Sequence, residues 1–163
     1  MSTTTSPVDT FAITDTILVR ASIEKTFASL LVQMGRENQT HEGVPMPMVI
    51  EPHPGGRWYR ALGGDDGHLW GFVQSIKRHS LLEIWGPLFM STGAMSNLQY
   101  RLQETDGGTM ITFSHTMFGP IPDAVRPNLG AGWAALHARV RAAAEEDGGD
   151  LLEVGVVEDH HRR

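Results

Sequence analysis

Apolar and polar residues alternate from Phe11 to Arg20, with Ile13, Ile17 and Val19 on one face and Thr14, Thr16 and Arg20 on the other. This period of two predicts a half-buried strand, with Asp15 as a polar exception on its apolar face. The period changes at Ser22, a good N-cap. Ile23, Phe27, Leu30, Leu31 and Met34 repeat at helical spacing, and Gly35 ends that helix. Residues 36–47 read as a polar loop. Short alternating segments follow, near 48–51, 57–62, 68–76, 81–85, 96–104 and 109–118. Glycine-rich turns at 54–56, 63–67 and 106–108 separate several of them, which predicts an antiparallel meander.

The period returns to helical after Pro120, Pro122 and Pro127, with Pro127 suited to a first turn. Leu129, Trp133, Leu136, Val140 and Ala143 form one stripe, which places His137, Arg139, Arg141 and Glu145 toward water. Trp133 is the largest side chain on the stripe and should govern what the helix packs on. Gly130 and Gly132 each cost a helix about 1 kcal/mol relative to alanine, which suggests a backbone brought close to a sheet. Strand, helix, six strands and a long helix imply an α+β fold. A curled antiparallel sheet of about seven strands wraps the C-terminal helix and leaves a cavity between them.

Charge sharpens the domain division. The 163 residues fit one domain, and 40% are hydrophobic. Net charge is −6, and residues 145–163 carry −5 of it. The expected plan is a loose start over residues 1–10, a domain over 11–147 and an acidic tail over 148–163. For the tail an edge strand, a docking segment and a disordered end all stay open, as does a homodimer. The nearly neutral body argues against nucleic acid as a partner. No stretch approaches a membrane span, and residues 1–10 lack the pattern of a secretory signal. The absence of cysteine excludes disulfides and thiol catalysis and fits a cytoplasmic setting.

Several short segments, in this order and spacing, carry a resemblance. They are residues 21–27, 54–58, 71–73 with Leu82 and Trp85, 108–115, and Gly132-Trp133 followed by Leu136. Across residues 11–144 the chain resembles the START-like, helix-grip superfamily, also called SRPBCC, which includes the birch pollen allergen. Within it the chain is similar to the branch of heat-shock-protein-90 ATPase activator homologues. That branch commonly has a tryptophan in a short second helix after the first, and residues 36–47 have none. The cavity mouth is therefore expected to differ. The branch name does not itself imply a chaperone role.

His115 is the leading candidate for chemistry, because it shares a strand face with Ile111, Phe113 and Met117. A hydrogen-bonded core histidine, a ligand-orienting group and an acid–base catalyst are all open readings. Glu51, Tyr100 and Asp15 are its candidate partners. Glu51 reads first as a rim carboxylate and Arg57 as an outward strand residue. The expected ligand-binding set is Trp133, Leu129, Leu136, His115, Phe113, Met117, Tyr100, Trp58 and Met48. Met46, Met90 and Met95 flank predicted loops at a plausible rim. The histidines show no metal-ligand spacing, so neither metal nor other cofactor is expected. The function expected is binding of a small apolar molecule. A cyclase- or aromatase-type enzyme using His115, and a protein-interaction module resembling a chaperone cofactor, are the alternatives.

Overall fold

The computed structural model describes residues 1–5 and 7–146, so the tail from residue 148 lies outside the described residues. Strand β1 spans Asp9–Val19 and begins two residues earlier than the alternation suggested. Ser22 then caps helix α1, Ile23–Met34, by accepting a hydrogen bond from the Lys25 backbone N–H at 3.2 Å. At its other end the Gly35 N–H is bonded to Leu31 and Val32 carbonyls. Thr26, Phe27, Leu30 and Met34 form its buried face.

Six more strands follow: β2, Val49–Ile50; β3, Arg57–Gly63; β4, Asp66–Lys77; β5, Leu81–Gly86; β6, Met95–Thr105; and β7, Gly108–Gly119. They form one antiparallel sheet in the order β1-β7-β6-β5-β4-β3-β2. The first strand thus lies beside the last, with Ile17 opposite Ile111. Helix α2, Arg126–Glu145, crosses the concave face. Leu129, Trp133, Leu136, Val140 and Ala144 are its buried apolar residues. This is the helix-grip arrangement expected from the pattern.

Two clusters make the core. The larger joins Phe27, Leu30 and Met34 of α1 to Leu98, Tyr100, Ile111 and Phe113 of the sheet and to Trp133, Leu136 and Val140 of α2. The smaller gathers Met90, Ala94, Met117 and Leu129 near the start of α2. The helices are also joined directly, since Ser29 Oγ donates to the Val140 carbonyl at 2.7 Å.

Three expectations about α2 are corrected. His137 is only 2% exposed rather than solvated, because Tyr100 and Asp15 supply polar partners at both ring nitrogens. Arg139 is partly buried and lines a cavity. Gly130 and Gly132 do not mark a close approach, since a Cβ built at either meets no atom within 4 Å. The tight crossing lies in the sheet instead, where a Cβ at Gly71 would sit 2.7 Å from the Trp85 carbonyl oxygen. A Cβ at Gly86 would sit 2.4 Å from the Trp70 carbonyl oxygen. That close pass brings Leu88 N–H onto the Trp70 carbonyl at 2.8 Å and fixes where Trp70 stands.

Candidate functional site

The sheet and α2 do not meet evenly. Phe113 packs on Trp133 with ring centroids 5.0 Å apart, and Tyr100 packs on Phe113 at 4.8 Å. Trp133 and Phe113, both in the expected ligand-binding set, therefore pack on each other instead of facing each other across a cavity. Toward β3 and β4 the layers separate and leave a partly open cavity of about 420 Å³. Trp58, Trp70 and Phe89 form one side, and Leu129, Gly132, Trp133, Leu136 and Arg139 form the other. The loop after α1 closes an end with Asn38, Gln39, Thr40, His41 and Met46.

The aromatic side is itself ordered. Trp58 and Trp70 meet edge to face at 5.1 Å, and Phe89 packs on Trp70 at 5.9 Å. The buried Trp58 indole donates to the Met34 carbonyl at 2.8 Å, which ties β3 to the end of α1. These rings give a wide, stiff, apolar wall.

Of the nine expected ligand-binding residues, Trp133, Leu129, Leu136 and Trp58 line the cavity. His115, Phe113, Met117, Tyr100 and Met48 do not, and all are buried in the core. Met46, named as a rim residue, lines the cavity, whereas Met90 and Met95 are absent from its lining. Sequence reasoning missed Trp70, Phe89 and Arg139. Trp70 stood in a predicted strand, but strict alternation groups it with Phe72, which packs on the exposed Trp85, and not with the buried Val73. No signal existed for Phe89, which follows Pro87 in a loop.

His115 has both ring nitrogens engaged. The Trp133 indole N–H donates to its Nδ1 at 3.0 Å, so the ring proton sits on Nε2 and faces Ser96 Oγ at 2.9 Å. Burial pushes its pKa down from 6.5 to about 4. A neutral, doubly bonded imidazole behind Trp133 has no free nitrogen to offer a substrate.

A second polar chain crosses the core. The buried Tyr100 hydroxyl lies 2.9 Å from His137 Nε2, and His137 Nδ1 lies 3.1 Å from Asp15 Oδ2. The carboxylate fixes the proton on Nδ1, leaving Nε2 to accept from the phenol. Burial lowers the His137 pKa, while the hydrogen bond to Asp15 opposes that shift. Burial, with the Asp15 charge, holds the Tyr100 phenol well above its usual value. Tyr100 is therefore neutral and does not serve as a base. A more open groove of about 430 Å³ runs past Asp15 and His137 between β1 and α2. This chain is absent from the lining of the aromatic cavity.

Glu51 is spent on a surface ion pair, as a rim carboxylate. Its Oε1 accepts from Arg57 Nε at 2.7 Å and from the Arg57 backbone N–H at 2.9 Å. The Arg57 hydrogen bonds draw its pKa down to about 2. Arg57 also lies over the Tyr59 ring at 4.8 Å. Glu51 joins neither His115 nor Tyr100 in a catalytic group. Among the described residues, no three His, Asp or Glu side chains stand together as a metal site. No helix there is long and apolar enough to cross a membrane.

No protein-family model matches the chain, and no curated protein matches it in sequence. Solved structures do match in shape. An uncharacterized protein from Rhizobium leguminosarum aligns with TM-score 0.68 and 14% identity, over 87% of this chain and 99% of that one. Ara h 8.0201 aligns with TM-score 0.60 and 16% identity, over 85% and 98% of the two chains. The di-domain ARO/CYC StfQ of the steffimycin biosynthetic pathway aligns with TM-score 0.59 and 13% identity, over 90% of this chain and 52% of that one. At these identities the likeness is one of fold, and the fold is the helix-grip fold, an α+β sheet curled around a long C-terminal helix.

Proposed function

We propose that the protein binds a small lipophilic molecule in the aromatic cavity between α2 and strands β3 and β4. The observation that carries this reading is the cavity itself, about 420 Å³ of space walled by Trp58, Trp70, Phe89 and Trp133. A volume of this order suits a compact organic ligand. Two features support binding over catalysis. Both nitrogens of His115 are spent inside the core, and the Asp15–His137–Tyr100 chain is absent from the cavity lining. Membership of the branch of heat-shock-protein-90 ATPase activator homologues is part of this reading and rests on the sequence resemblance alone. The proposed activity does not depend on that placement.

Gly132 provides the test. It lines the cavity, and a Cβ there meets nothing within 4 Å, so Gly132→Leu should occupy the ligand's space without displacing the core. The apolar fluorophore anilinonaphthalene should bind the wild type at about one per chain. Gly132→Leu should abolish that binding while the melting temperature holds or rises. Gly130→Leu is the control, because Gly130 is exposed and outside the lining. Equal binding by both variants and the wild type would overturn the cavity assignment.

A further inference from the structure

An arginine without a partner among the described residues lines the cavity. Among the described residues, Trp70 Nε1 and Arg139 Nε are the buried side-chain polar atoms with no hydrogen bond. Both residues line the same cavity. The other polar groups there are partly spent on local bonds: Asn38 donates to the Met46 carbonyl at 3.1 Å, and Thr40 Oγ1 accepts from Val44 N–H at 3.2 Å. No Asp or Glu lines the cavity. Arg139 has no ion-pair partner among the described residues. Its pKa is pushed down by burial, which marks a guanidinium that loses water without gaining a counter-charge.

An unsatisfied buried donor carries its full desolvation cost, and a partly buried cation does so more strongly. Native proteins leave few such groups, and these two atoms lie behind the cavity surface, so the group that can meet a ligand is the remainder of the Arg139 guanidinium, which has no hydrogen-bond partner among the described residues. Guanidinium offers a planar set of donors that matches a carboxylate. The rest of the lining is aromatic or aliphatic. We infer that the ligand is a lipophilic acid, an aromatic or polycyclic skeleton bearing a carboxylate or equivalent acidic oxygen group, received by Arg139. This rests on the cavity reading above and adds the chemistry of the ligand's polar end.

The test uses a matched pair of probes with one skeleton, anilinonaphthalene and its sulfonate, titrated by fluorescence into the full chain near neutral pH. The wild type should prefer the sulfonate by about tenfold or more, the usual scale for a charge-assisted hydrogen bond. Arg139→Gln should remove that preference while anilinonaphthalene binds within about twofold of wild type, a change too small to register a lost hydrogen bond. Trp70→Phe, which keeps a ring and deletes an N–H that does not reach the cavity surface, should keep the preference. Retained binding of the neutral probe also shows that each variant is folded. Equal wild-type affinity for both probes would overturn the acid-binding inference and leave the cavity reading standing. Equal weakening of both probes by Arg139→Gln would also overturn it, because Arg139 would then shape the wall without reading charge. Failure of both probes to bind the wild type would sink the cavity reading itself.

Discussion

Acidification should weaken this fold through His115. The imidazole is 1% exposed, and its pKa falls from 6.5 to about 4 on folding. Its Nδ1 accepts the Trp133 indole N–H, so a second ring proton would set two donors against each other. A depressed histidine pKa means that the unfolded chain takes up a proton that the folded chain refuses. Stability is therefore complete above about pH 6.5 and is lost as pH falls toward about 4. A difference of that size corresponds to about 3 kcal/mol at its limit, of which about 2 kcal/mol is lost between about pH 7 and about pH 5. Urea denaturation at a series of pH values measures it. His115→Gln is the matched variant, since its amide can accept from Trp133 and donate to Ser96 without titrating. Its slope over this range should be shallower than wild type by that amount, with His137 supplying a smaller slope of the same sign to both proteins. Glu51 acts in a lower window, below its ordinary 4.5 and toward about 2, and so does not confuse the comparison. Superimposable pH profiles for wild type and His115→Gln would refute the reasoning.

Three further outcomes are expected. Trp133→Ala should destabilise the protein by about 3–5 kcal/mol in urea unfolding and weaken anilinonaphthalene binding, since Trp133 packs on Phe113, bonds His115 and walls the cavity. Tyr100→Phe should cost about 1–3 kcal/mol by the same assay, because it leaves the buried His137 Nε2 without its donor. Truncation after Gly149 should leave the melting temperature within a few degrees of wild type, because the removed segment follows the Gly148-Gly149 break and the proposed domain ends near residue 147. A larger fall in a thermal scan would assign that segment to the folded unit.

The fold was legible because its signals are local. Ser22 and Gly35 bracket α1, and the alternation of Leu98, Tyr100 and Leu102 marks β6 from within the segment. The cavity was less legible, because its walls come from distant segments. Trp58, Trp133, Leu129 and Leu136 could be chosen as large apolar residues on inward faces. Whether they meet a neighbour or a void depends on how strongly the sheet curls. Phe113 and Met117 carry the same inward signal and lie against α2 instead. Arg139 and His137 were misread for another reason. Helical spacing places both beside the apolar stripe but does not reveal that Tyr100 and Asp15 wait for one, and a cavity for the other.

The sheet order has a consequence for how the chain reaches this structure. β1 is made first, yet its neighbour is β7, and the pair Ile17–Ile111 is separated by about ninety residues. Such closure is entropically costly and slows the search for the native state. The meander from β3 to β7 can assemble from successive hairpins, whereas β1 and α1 must wait for its far edge. During synthesis the N-terminal segment leaves the ribosome before its partner strand exists, with Ile13, Ile17 and Phe27 still uncovered. Slow refolding phases should therefore track the docking of β1 onto β7, and substitutions at Ile17 or Ile111 should affect them more than substitutions in the β3–β4 hairpin.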